Sequence, residues 1–131
     1  MLVRCAVAAL ALLAVSLGGC SAAPDSGIEG VATRGPVCGG PTRDPPDPSC
    51  ADKPFGGKVA LWTTDRSRMV LAFTTASDGT FNVSVAPGTY VVGNPSGDAY
   101  PQHPACSSDH DVVVLARQWT HVVVSCDTGI R

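Results

Sequence analysis

Between Arg34 and Gly57 the chain carries six of its eleven prolines, together with Gly35, Gly39, Gly40, Gly56 and Gly57. Proline has no amide hydrogen to give to a ladder and breaks a helix interior, so this stretch reads as a long loop. Unsupported loops of that length are uncommon in a compact domain. Cys38 and Cys50 both sit inside it, and a bond between them would limit its freedom. Any regular structure must therefore come from the short segments on either side.

Those segments read as strands. Gly27 to Thr33 alternates apolar and polar residues. After the loop, KVALWTT (Lys58 to Thr64) passes through the polar turn Asp65-Arg66-Ser67-Arg68 into MVLAFTT (Met69 to Thr75). Asp78-Gly79 between two β-rich runs predicts a hairpin. In TFNVSVA, Phe81, Val83 and Val85 share one face and Thr80, Asn82 and Ser84 the other. Pro87-Gly88 turns the chain into Thr89 to Gly93, and Gly79 and Gly88 are each expected at positive φ or in a tight reversal. Asn94 to Asp111, with Pro95, Pro101 and Pro104, reads as a second loop. DVVVLA and THVVVSC close the chain, joined at Arg117-Gln118. Val122, Val124 and Cys126 fall on one face of the last run, His121, Val123 and Ser125 on the other. About seven short strands without a helix predict an all-β, antiparallel β-sandwich.

The opening of the chain is of a different kind. Arg4 precedes an uncharged run of 13 residues, Cys5 to Leu17, which is too short to span a bilayer and has the length of a secretory h-region. A core helix would show a polar stripe, whereas Ser16 is the one polar residue in the run. The run ends in Leu17-Gly18-Gly19-Cys20, which resembles the lipobox of bacterial lipoproteins, where the cysteine thiol is acylated and becomes the first residue of the mature protein. The reading is a signal peptide over 1–19, a flexible tether over 20–27 and a β-sandwich over 28–131. It implies a protein lipid-anchored at Cys20 on the extracytoplasmic face of the cell membrane, since two or three acyl chains anchor stably where one does not.

Cleavage would leave 112 residues with eight Lys/Arg against eleven Asp/Glu, a net charge of −3. No basic cluster is present to displace counterions from phosphate, so nucleic acid is excluded as a partner. Four cysteines would remain, and an even number in a small exported domain reads as disulfides. Cys38 and Cys50 bracket 11 residues of one loop, while Cys106 lies in the other loop and Cys126 ends the last strand. Local closure favours Cys38–Cys50 and Cys106–Cys126; the crossed pairings require both loops to meet at one end of the sandwich.

Chemistry-bearing residues are sparse. His103, Cys106, His110 and Asp111 lie within nine residues as H-x2-C-x3-H-D, a weak metal-site candidate because the paired short-loop spacing of structural zinc is missing. The chain has no Gly-x-Ser-x-Gly elbow, and Asp109, His110 and Asp111 in one loop do not make a preorganised triad. No enzyme activity and no cofactor are expected. Trp62, Trp119, Tyr100 and Phe55 form a candidate aromatic platform for glycan or peptide. Because Leu61 and Trp62 point to opposite faces, a tryptophan sealing a loop onto the sheet is the stronger expectation.

SDGTFNVSVAPGTYVV resembles the D-G-x-F…P-P-G-x-Y core of carboxypeptidase-regulatory-like and transthyretin-like (prealbumin-like) domains. Asp78, Gly79 and Phe81 match its first part and Pro87, Gly88 and Tyr90 its second, with Ala86 where the family often has proline. GIEGVATRGP is similar to the start of such domains, and SCDTGIR resembles the close of small bacterial lipoproteins of this type. The resemblance implies the sandwich fold, and its motifs specify turns rather than chemistry. The resulting expectation is a non-enzymatic binding or scaffolding module at the cell envelope, tied to the membrane by its lipid and meeting an envelope protein or glycan. The alternative is a carrier of a small ligand or metal on the His103–Asp111 loop.

Overall fold

The computed structural model describes residues 25–97 and 104–131. The elements in chain order are β1 (Gly27–Gly35), a 3-10 turn (Pro48–Cys50), β2 (Lys53–Pro54), β3 (Lys58–Trp62), β4 (Met69–Thr74), β5 (Thr80–Ser84), β6 (Gly88–Gly93), β7 (Ala105–Ser108), β8 (Val112–Val114) and β9 (Trp119–Asp127). Among the described residues nine strands form two sheets packed face to face, a β-sandwich.

In the first sheet β1 is central. One edge runs parallel to β9 along its whole length, from Gly27 opposite Trp119 to Gly35 opposite Asp127. The other edge is shared: β5 pairs antiparallel with Gly27 to Val31, and β2 with Thr33 and Arg34. The changeover falls at Ala32, whose N–H donates to Gly79 O and whose carbonyl accepts from Phe55 N. β7 pairs antiparallel with the outer edge of β9. The second sheet runs β4-β3-β6-β8, antiparallel throughout.

Alternation determines what lies between the sheets. Ile28, Ala32, Phe81, Val85, Cys106, Val122, Val124 and Cys126 from the first sheet meet Val59, Leu61, Tyr90, Val92, Val112 and Val114 from the second. Phe73 of β4 and Phe81 of β5 stand in opposite sheets with ring centroids 5.1 Å apart. His121, Val123 and Ser125 face outward, as their period-2 spacing requires.

Several expectations are corrected. Asp78-Gly79 turns the chain, but β4 and β5 do not pair; the turn carries the chain from the second sheet to the first. The same holds for Pro87-Gly88 between β5 and β6, and for Arg117-Gln118 between β8 and β9. Of the proposed hairpins, β3–β4 is one. By changing sheet the chain sets the half-buried Phe73 against the buried Phe81 across the interior. Gly79 has φ of +83°, whereas Gly88 is not among the positive-φ glycines and opens β6 in extended conformation. The expected loop over 34–57 contains the end of β1, the 3-10 turn and the two-residue β2, with Pro54 on an edge as its missing N–H dictates. The expected second loop contains β7, so Cys106 lies on a strand.

The two ends of the sandwich differ. At the end where β1 begins lie the β5–β6 connection, the β8–β9 turn and the tip of the β3–β4 hairpin. At the opposite end lie the proline-rich segment and the C-terminal residues.

Candidate functional site

The proline-rich segment folds into a stapled loop at the end away from the start of β1. Cys38 and Cys50 are bonded, with Cα atoms 5.3 Å apart. Asp47 Oδ1 accepts from Ser49 N at 2.9 Å and Ser49 Oγ at 2.8 Å, which caps the 3-10 turn and lowers the Asp47 pKa below its ordinary value. The C-terminal segment packs alongside: Thr128 N donates to Gly35 O at 3.0 Å and Thr128 Oγ1 to Pro36 O. Arg131 binds Asp127 through its two terminal guanidinium nitrogens, at 3.2 and 2.9 Å, a pairing that raises the Arg131 pKa.

Together these segments enclose an open groove of about 690 Å³ whose walls include Pro41, Arg43, Pro46, Pro48, Ile130 and Arg131. Pyrrolidine rings with φ already fixed offer apolar surface at little conformational cost, and the Arg43 guanidinium can pair with carboxylates or hydroxyl-rich groups, while that of Arg131 is held by Asp127. Binding is the chemistry such walls can do. Its one carboxylate from the loop, Asp47, is engaged by Ser49.

The residues with metal-ligand chemistry are dispersed. Cys106 is bonded to Cys126 directly across the β7–β9 ladder and is 5% exposed, so it has no thiolate to offer. His103 lies outside the described residues. His110 and Asp111 line a hollow of about 280 Å³ with Asp109 and, from β9, His121. Alternation along β9 signals only that His121 faces outward; its approach to the β7–β8 connection could not be read from spacing. Among the described residues no group of three or more His, Cys, Asp or Glu side chains could hold a metal ion.

The aromatic residues do not form one platform. Trp62 lies on the outer face of the second sheet, donates its Nε1 to Asn94 O at 3.1 Å and flanks Gly93 and Gly97. It seals the start of the segment after β6 onto the sheet. Trp119 lies on the outer face of the first sheet, against Gly27, and is 40% exposed. Phe55 is half-buried and packs against the core from β2's side. Tyr100 lies outside the described residues, as does Cys20.

Asn94 is a positioning residue that composition did not reveal. Its side chain donates to Pro104 O and accepts from Cys106 N, both at 2.9 Å, joining the end of β6 to the start of β7. Among the described residues no helix is long and apolar enough to cross a membrane. Compared with family models, with curated proteins and with solved structures, the chain finds no match in any of the three.

Proposed function

We propose that the chain is a lipid-anchored, extracytoplasmic, non-enzymatic binding module of the cell envelope, of carboxypeptidase-regulatory-like or transthyretin-like kind. The observation that carries the reading is the uncharged run Cys5 to Leu17 ending in Gly18-Gly19-Cys20, a few residues before a β-sandwich begins. The two disulfides support it, since such bonds persist in oxidising compartments outside the cytoplasm. The stapled groove at the end away from the start of β1 is the surface we assign to an envelope protein or glycan.

The test is acylation. Cells fed labelled palmitate should label the protein, and it should fractionate with membranes. Cys20→Ala should abolish the label and either leave the uncut precursor or release the domain. An unlabelled parent protein whose fractionation matches that of the variant would overturn the reading.

A further inference from the structure

We propose that the end of the sandwich where β1 begins is a membrane-facing surface that seats Trp119 and Leu115 at the interface of a phospholipid layer. This inference rests on the reading of Cys20 as the acylated residue.

Three observations bring the same side of the molecule to the bilayer. The first is reach. Five peptide steps separate Cys20 from Asp25, so even fully extended they span at most about 18 Å. The nine-residue strands β1 and β9 are each about 30 Å long at ordinary strand rise. A lead shorter than the domain holds the near end at the lipid surface and favours holding the stapled groove away from it.

The second is the distribution of exposed apolar side chains. Leu115 is 53% exposed and Trp119 40%, and the two flank the turn closed by Gln118 N donating to Leu115 O at 3.2 Å. Val113, 50% exposed, is two residues upstream. Gly27 N donates to Gln118 O at 3.2 Å, so the point where the chain enters the domain adjoins this turn. The Trp119 ring lies against Gly27, where a Cβ would come within 2.5 Å of it. Tryptophan prefers the headgroup level of a bilayer, where its ring is half in hydrocarbon and its N–H stays hydrated.

The third is charge. Arg117 takes a left-handed conformation in the β8–β9 turn, with φ of 58°. Arg68 lies on the exposed β3–β4 turn at the same end. Arg117 between exposed Leu115 and Trp119 suits a phospholipid surface, where the arginine stem lies along apolar groups and the guanidinium stays at the phosphates.

The experiment uses the full acylated protein reconstituted into phosphatidylglycerol–phosphatidylethanolamine vesicles containing a brominated phosphatidylcholine, which quenches tryptophan on contact. Emission from Trp119 is the difference between the parent and Trp119→Phe, and intact mass establishes the lipid on Cys20. About half of the Trp119 emission should be lost in brominated vesicles, with Trp62 unaffected. Leu115→Asp combined with Arg117→Glu should restore most of it, and the unchanged Trp62 emission would report that the variant is folded. An acylated protein whose Trp119 is not quenched would overturn this proposal and leave the anchoring intact. A mass without lipid would overturn both. A Trp119 blue shift that grows with protein concentration in the absence of vesicles would assign the surface to a second copy of the chain and overturn the proposal.

Discussion

Gly79 and Ala32 meet backbone to backbone: the Ala32 N–H donates to Gly79 O at 2.8 Å, and a Cβ on Gly79 would fall 2.3 Å from Ala32 O. This contact sits where β1 exchanges one edge partner, β5, for the other, β2. Gly79 also has φ of +83°, which disfavours any residue with a Cβ. Gly79→Ala should therefore cost about 1–3 kcal/mol, and Gly79→Val at least as much. Asn82→Ala, on the exposed face of β5, should stay within about 0.5 kcal/mol. Urea midpoints at constant m-value check this, and equal losses at both positions would refute it.

The Tyr90 hydroxyl donates to Ala86 O at 2.5 Å, four residues back, and so fastens the connection that carries the chain between sheets. Tyr90→Phe should cost about 1 kcal/mol, the usual worth of one such bond. Gly88 lies beside this ring, where a Cβ would meet the hydroxyl at 3.0 Å. Because Gly88 has no positive φ to protect, Gly88→Ala should cost less than Gly79→Ala. In the Tyr90→Phe background the Gly88→Ala penalty should shrink, since the clashing atom is gone. A double-mutant cycle gives the coupling, and strict additivity would place the Gly88 penalty elsewhere.

How much of this could be read from the sequence depends on the range of the signal. Period-2 alternation groups Phe81 with Val83 and Val85, and Val122 with Val124 and Cys126; all are buried except Val83, which is half-buried against the core. Turn residues mark where the chain bends, but Asp78-Gly79 looks the same whether the next strand pairs with the last or crosses to the other sheet. That choice depends on Phe73 and Phe81 packing across the interior, a contact between sheets. β7 was hidden because ACSS carries no β-branched or aromatic residue; it is a strand because Cys106 and Ser107 pair with the long edge of β9. The groove was equally illegible. Its proline content is plain in the sequence, but Ile130 and Arg131 reach it through the Thr128 bonds to Gly35 and Pro36, about ninety residues away in the chain.

Asp65 accepts from Thr63 Oγ1 at 2.7 Å, Ser67 N at 3.0 Å and Ser67 Oγ at 2.8 Å, and these bonds lower its pKa from 3.8 to about 2. The ionised form is the bonded one, so its support of the β3–β4 turn is complete above the unfolded pKa of about 4 and is lost as pH falls through about 2. The Ser67 amide resonance should move with a midpoint near 2. Asp65→Asn keeps the acceptor oxygen but not the titration, and should flatten that curve. A midpoint at the ordinary aspartate value would show that the bonds do not hold in solution.

The two disulfides should differ in what their removal does, although they close spans of similar length, 12 and 20 residues. Chain entropy alone assigns each roughly 3 kcal/mol. That stabilisation reaches the whole domain only if the closed segment unfolds together with the core. Cys126 is 1% exposed and lies among Val122, Val124 and Ile28 in the core, so the span from Cys106 to Cys126 cannot open without the sandwich. The span from Cys38 to Cys50 contributes no buried residue and can open by itself. Replacing Cys106 and Cys126 by alanine should lower global stability by about 2–5 kcal/mol, with some of the loss from the cavity left in the core. Replacing Cys38 and Cys50 should leave the thermal midpoint nearly unchanged and instead expose Arg43 to trypsin. Thermal denaturation with limited proteolysis separates the two cases. A large drop in the midpoint for the Cys38/Cys50 pair would mean that the stapled loop folds as part of the core.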